Sequence, residues 1–203
     1  MPQSGSICPL LHAGQSQLSE KELARAFYHR GNAYNEKEDY DRAIQDYDQA
    51  IRLKPDHADA FSNRGVAYGL KGDYDRAIQD YSQTIQLNPN NANAFYNRGN
   101  AYRSKEDYDR AIQDYDQAIR LSPNRANAFH NRGLVRFYQG QFTASVADFS
   151  KAAQFASPSL YRIRILLLYI AQARSGNNAQ DDLSKATNGF NLRNGRDLWF
   201  PCI

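Results

Sequence analysis

The sequence predicts an all-α fold, a row of antiparallel helix pairs stacked side by side, on three observations. The first is a period: Gly31, Gly65, Gly99 and Gly133 stand 34 residues apart, and Phe27, Phe61, Phe95 and Phe129 keep the same interval, as do Tyr47, Tyr81, Tyr115 and Phe149. The second is amphipathic spacing within each period, with apolar side chains recurring at three and four residues. The third is punctuation. An Asp precedes one apolar run, a Pro follows it, and a Gly ends the other run in two of the periods. Self-similarity at this interval marks units that cannot bury an apolar stripe alone and do so by stacking.

The elements follow in order. Residues 1–18 form an N-terminal extension, read as a loop or as a short helix over the first hairpin. Its apolar patch, Ile7 to Leu11, has no basic stretch before it and is too short for a signal sequence or a membrane span. The expected location of the chain as written is therefore the cytoplasm. Ser19 and Glu22 make a capping box that opens the first helix. Four repeats are then placed at 24–57, 58–91, 92–125 and 126–157.

In the third repeat, Ala92 to Ser104 puts Phe95, Gly99 and Tyr102 on one helical face and Asn93, Tyr96, Asn97 and Asn100 on the other. Tyr108, Ala111, Ile112, Tyr115, Ala118 and Ile119 stripe a second helix, which Asp107 caps as Asp39 and Asp73 do earlier. Gly72 and Gly140 end first helices, and Pro55, Pro89 and Pro123 close second ones. The fourth repeat drifts: Arg136, Gln141 and Ser145 stand where Tyr, Asp and Ala otherwise recur. A terminal unit lacks a neighbour on one side and is freer to change. Residues 158–176 predict one more helix, opened by Ser157-Pro158 and stopped by Gly176. It either seals the last hairpin or lies on an anionic membrane surface through Arg162, Arg164 and Arg174. The tail, 177–203, finishes on Leu198-Trp199-Phe200-Pro201-Cys202-Ile203, an apolar ending that docks back on the array or leads into further chain.

The Gly, aromatic, Ala and Pro markers, in phase over four registers from Ala24 to about Ser157, resemble the tetratricopeptide repeat family. That resemblance implies a right-handed superhelical α-solenoid whose concave surface is lined by the first helix of each pair. It also implies small residues at close helix crossings, and Gly31, Gly65, Gly99 and Gly133 fill those slots with Ala43, Ala77, Ala111, Ala50 and Ala118. Two positions depart from the family pattern. Phe replaces the usual first-helix Trp, and Arg30, Arg64, Arg98 and Arg132 replace a core Leu. The wheel places these arginines on the flank of the core face, within reach of Asp46, Asp80, Asp114 and Asp148 on the second helices. A structural Arg–Asp pair within every hairpin is expected, with ligand binding as the other use of the arginines.

Two further resemblances bear on partner and location. The run from Cys8-Pro9-Leu10-Leu11 to Leu18-Ser19-Glu20-Lys21-Glu22-Leu23-Ala24 is similar to the mature start of bacterial envelope-associated members, so a periplasmic or envelope location is the alternative. The carboxylate clamp that grips acidic chaperone tails matches here at Asn32 and Asn63 alone. Tyr28, Asn93 and Asn97 stand at its cationic positions, which argues against tail binding.

Catalysis needs a nucleophile, a base and an orienting group in one pocket. His12, His29, His57 and His130 stand in unrelated registers, and Cys8 and Cys202 lie at opposite ends. No enzyme, cofactor or metal site is therefore expected. The formal net charge is +3, and both signs alternate along the helices, as in AIQDYDQAIR, which reads as a solvated face and not as a nucleic-acid stripe. No integral membrane segment is expected.

What remains is the groove. Asn63, Asn97 and Asn131 recur at one first-helix position, with His29 in the same slot of the first repeat. Amides offer both donor and acceptor, so such a ladder can hold the backbone of an extended peptide; alternatively it is only a solvated row. Tyr28, Asn32, Asp59, Ser62, Asn93, Tyr96, Asn100, Arg103, Asn127 and His130 surround it. The expected function is a non-catalytic scaffold that binds a peptide segment of a partner protein. The alternatives are a module that self-assembles through its ends, and an envelope-associated scaffold.

Overall fold

The computed structural model describes residues 19–155, together with residues 170, 171 and 173. Within 19–155 the chain forms α1 (Glu20–Glu36), α2 (Tyr40–Leu53), α3 (Ala58–Leu70), α4 (Tyr74–Leu87), α5 (Ala92–Ser104), α6 (Tyr108–Leu121), α7 (Ala126–Tyr138) and α8 (Phe142–Gln154). No strand occurs among the described residues. Each odd-numbered helix packs mainly on the helix that follows it, and each hairpin leans on the next, an all-α solenoid of antiparallel pairs. The N-terminal extension and the C-terminal tail lie outside the described residues. So does most of the helix expected over 158–176, of which Ile170, Ala171 and Ala173 are helical. Ala171 is fully buried in one cluster with Phe149.

The helix starts show why these segments fold where they do. Ser19 Oγ accepts from the Glu22 amide while the Glu22 carboxylate accepts from the Ser19 amide at 2.8 Å, a complete capping box. Asp39, Asp73 and Asp107 accept from the amides of Arg42, Arg76 and Arg110, satisfying one of the free donors at each start. Asn91 does the same for α5. First helices end on a residue of positive φ: Gly72 at 82° and Gly140 at 74°, with Glu38 and Glu106, each at 60°, in the equivalent turns. The glutamates accept a backbone conformation in which Cβ crowds the following carbonyl.

Close approach fixes the pairing within a hairpin. A Cβ on Gly31 would stand 2.8 Å from the Tyr47 ring, and on Gly65, Gly99 or Gly133 it would stand 2.9 Å from Tyr81, Tyr115 or Phe149. Ala43, Ala77, Ala111, Ala50 and Ala118 are fully buried. Where the pattern drifts, the new side chain finds a partner: buried Ser145 donates to the Gly133 carbonyl at 2.9 Å.

The arginines that depart from the family pattern pair as expected in all four hairpins. Arg30 holds both carboxylate oxygens of Asp46 at 2.7 Å, Arg64 those of Asp80 at 2.9 and 2.6 Å, and Arg98 those of Asp114 at 2.8 Å each. Arg132 embraces Asp148 likewise, and Arg136 adds a third contact to that carboxylate at 2.9 Å. Two arginines also reach back to the preceding hairpin, Arg64 to Asp48 and Arg132 to Asp116, while Arg98 meets Ser82 there. The ladder thus ties each unit to its neighbour as well as to itself. Burial opposes the charge on Arg64, yet Asp80 and Asp48 outweigh it and its pKa is raised. Burial likewise pushes the Asp80 carboxyl up, against the opposing pull of Arg64.

Candidate functional site

The first helices α1, α3, α5 and α7 lie side by side, each touching the next. Six of the residues singled out from the sequence, Tyr28, Asn32, Asn63, Tyr96, Asn100 and Asn131, hydrogen-bond between neighbouring first helices. The amide ladder is not a uniform row. Asn63 donates to Asn32 Oδ1 at 2.9 Å and to the Tyr28 hydroxyl at 3.2 Å, joining α3 to α1. Asn131, which is buried, donates to Asn100 Oδ1 at 2.8 Å and to the Tyr96 hydroxyl at 3.1 Å, joining α7 to α5. Beneath them, Tyr47 and Tyr115 donate to those same Asn32 and Asn100 oxygens at 2.8 Å. Burial holds the Tyr47, Tyr81 and Tyr115 hydroxyls above the ordinary tyrosine range, so all three stay protonated as donors. Two of the three amides therefore fasten the scaffold. Asn97, half-buried in the same register, has no counterpart of these bonds.

The other predicted residues divide by exposure. His29, Asp59, Asn93 and Asn127 are exposed, while Ser62, Arg103 and His130 are half-buried. Arg25 donates to His29 Nε2 at 3.3 Å. Tyr28 packs on His29 and on His57, with ring centroids 5.4 and 4.8 Å away. His130 lies 5.8 Å from the Phe149 ring. Asn93 accepts from Arg125, whose guanidinium also lies 4.3 Å over the Tyr96 ring. Neither Arg125 nor His57 is apparent as a site residue from the sequence, because each sits just before a first helix, outside the repeating face.

A cleft of about 280 Å³ opens between α3, α4 and α5, and it too escapes the sequence reading. Val66, Leu70, Tyr74, Tyr81 and Asn97 line it. The signal was present: Val66 and Ser62 break a register that holds Asn32 and Asn100, Tyr28 and Tyr96. Among the described residues, no group of three or more His, Cys, Asp or Glu is placed to hold a metal ion. No helix there is long and apolar enough to cross a membrane.

Family comparisons agree with this geometry. Profiles described as "TPR repeat" match residues 31–72 and 99–140, and profiles described as "Tetratricopeptide repeat" match 58–91 and 81–113. Together they run without a break over more than half of the chain. The chain belongs to the tetratricopeptide repeat family, a class of helical interaction modules, and is by class a protein-interaction scaffold.

Solved structures resemble it in fold. A crystal structure of MamA protein is 21% identical with a TM-score of 0.76, covering 89% of this chain and 99% of that one. YrrB, described as a TPR protein with an unusual peptide-binding site, is 20% identical with a TM-score of 0.68, covering 81% and 85%. The first TPR of Spaghetti (RPAP3), bound to the HSP90 peptide SRMEEVD, is 24% identical with a TM-score of 0.58, covering 59% and 94%. No curated protein sequence matches the chain.

Proposed function

We propose that the chain holds an extended, uncharged segment of a partner protein along the concave face made by its first helices. The observation that carries this reading is the Tyr28–Asn63–Asn32 cluster and its copy, Tyr96–Asn131–Asn100. Aromatic and amide side chains fixed in advance cost little entropy on binding. Tyr, Asn and Arg also suit a peptide-reading surface. His29, Asn93 and Asn127 on the same helices are exposed and offer further polar side chains to a bound segment.

Protein is favoured over nucleic acid because the arginines of the repeat are engaged with Asp46, Asp80, Asp114 and Asp148. An acidic chaperone tail is disfavoured for a related reason. The two positions that match the carboxylate clamp, Asn32 and Asn63, hydrogen-bond to one another, and Tyr28 stands where a cation would be needed.

Peptides selected on the full chain from a random display library test the reading. Their affinity should fall about tenfold or more in the exposed-face variant His29→Glu/Asn93→Glu/Asn127→Glu. It should change little with salt, since no row of phosphate-binding cations is engaged. Unchanged affinity in that variant would remove the face from consideration, and a steep salt slope would favour a polyanion.

A further inference from the structure

Three junctions join neighbouring first helices, and the middle one is built differently. At the outer two, a buried Tyr and a neighbouring Asn both donate to Asn32 Oδ1 or Asn100 Oδ1. At the middle junction, Val66 occupies the Asn32/Asn100 register and Ser62 the Tyr28/Tyr96 register. Val66 offers no acceptor, so Tyr81 and Asn97 have no counterpart of those bonds. The cleft of about 280 Å³ lies where the network is missing. Gly69 widens it, standing in the register that holds Asn35, Arg103 and Phe137. Leu70 on its lining is 58% exposed, an apolar side chain left uncovered.

Chemistry narrows the occupant. No charged side chain lines the cleft, so a carboxylate, ammonium or phosphate would find no ion-pair partner there. Its walls are aliphatic and aromatic. Its polar groups are neutral: the hydroxyls of Tyr74, Tyr81 and Ser104, the Asn97 amide, and the amide of Asn100, whose oxygen is already taken and whose NH2 is left to donate. The volume falls just below the roughly 300–1,000 Å³ of sites for drug-sized ligands, which suits one large side chain.

We propose that this cleft is the anchor subsite of the groove, taking one apolar side chain of the leucine or phenylalanine kind from the partner segment. The Asn97 and Asn100 amides then donate to the adjoining peptide carbonyl. The inference rests on the reading of the concave face as a peptide groove. It gives that groove a centre, as hot spots commonly do.

Capped single residues test it directly, by NMR titration of the full chain with N-acetyl-leucinamide, N-acetyl-phenylalaninamide, N-acetyl-aspartamide and N-acetyl-lysinamide. The apolar pair should shift the Val66 methyl and Asn97 side-chain signals saturably, and the charged pair should not. Ser62→Tyr/Val66→Asn installs the residues of the neighbouring repeats, so it should fold, confirmed by its thermal transition, and should weaken apolar binding at least about tenfold. Gly69→Ala, which adds a methyl only in ordinary contact with Tyr81 and Ala77, should weaken it less. Equal shifts from charged probes, no shifts at all, or undiminished binding in Ser62→Tyr/Val66→Asn would overturn the anchor. If displayed peptides still depend on the exposed face in that event, the groove reading stands without it. If apolar probes bind but no displayed peptide uses the face, the groove reading fails and the anchor role falls with it.

Discussion

The side-chain amide of Asn131 donates to Asn100 Oδ1 at 2.8 Å, and the Tyr115 hydroxyl shares that oxygen at 2.8 Å. One carbonyl oxygen thereby links α5, α6 and α7. Removing Asn131 leaves Asn100 Oδ1 with Tyr115 alone and takes a donor from the half-buried Tyr96 hydroxyl, at a cost of roughly 1–3 kcal/mol. Asn131→Ala and Asn63→Ala should each destabilise by that amount in urea unfolding. Asn97→Ala, in the same register without those bonds, should stay within about 0.5 kcal/mol. Equal losses at all three positions would contradict the difference between the junctions.

Arg98 meets Asp114 through two contacts of 2.8 Å, with the Asp114 side chain 6% exposed. Arg98→Leu strands that carboxylate and should cost about 3 kcal/mol or more, whereas Arg98→Leu with Asp114→Leu should come out near neutral. A double-mutant cycle by chemical denaturation reads the coupling. Additive losses would show that the pair does not act as a unit.

Glycine to alanine should change sign between two helical positions. Gly99→Ala drives a methyl to 2.9 Å from the Tyr115 ring and should cost about 1–3 kcal/mol. Gly69→Ala meets nothing closer than 3.9 Å and should gain about 0.5 kcal/mol from reduced backbone entropy. Glu38→Gly and Glu106→Gly, at φ 60°, relieve left-handed strain and should each stabilise by up to about 1 kcal/mol. Thermal midpoints decide all four.

Stability should also depend on pH through His57. Burial, with help from Lys54, lowers its pKa below the usual value near 6.5, against Asp59 and Asp56. As pH falls, the unfolded chain takes up the proton first. The stability this site contributes is therefore full above the unfolded pKa and is lost as pH drops from about 6.5 toward the depressed folded value. The urea midpoint should decline between about pH 7.5 and 5.5, and His57→Gln should flatten that decline. The same decline in the variant would assign it to other groups.

Much of this fold is legible in the sequence because the period repeats the same physics. Gly31, Gly65, Gly99 and Gly133 recur where a Cβ would come within 2.9 Å of a ring, Asp39, Asp73 and Asp107 where helices need caps, and the Arg–Asp register where two helices face each other. Glu38 and Glu106 were harder to read, since nothing in their chemistry announces positive φ. Membership of the shared face also follows from the helical wheel, but the use of each side chain does not. Asn63, Asn97 and Asn131 are identical in register, and only the neighbours decide which amides are occupied: Asn32 and Asn100 accept, and Val66 cannot. In a repeat protein the informative positions are those where the period breaks. The cleft at Val66 and Gly69 is one of them.

Site-specific photo-crosslinking tests the central claim most directly. A photoreactive residue at Asp59, exposed on the first-helix face, is compared with one at Gln113, exposed on the second helix of the next hairpin. Display-selected peptides should crosslink at position 59 and not at 113, with yield lost in His29→Glu/Asn93→Glu/Asn127→Glu. Crosslinking at 113, or at both positions alike, would contradict a partner-binding inner face.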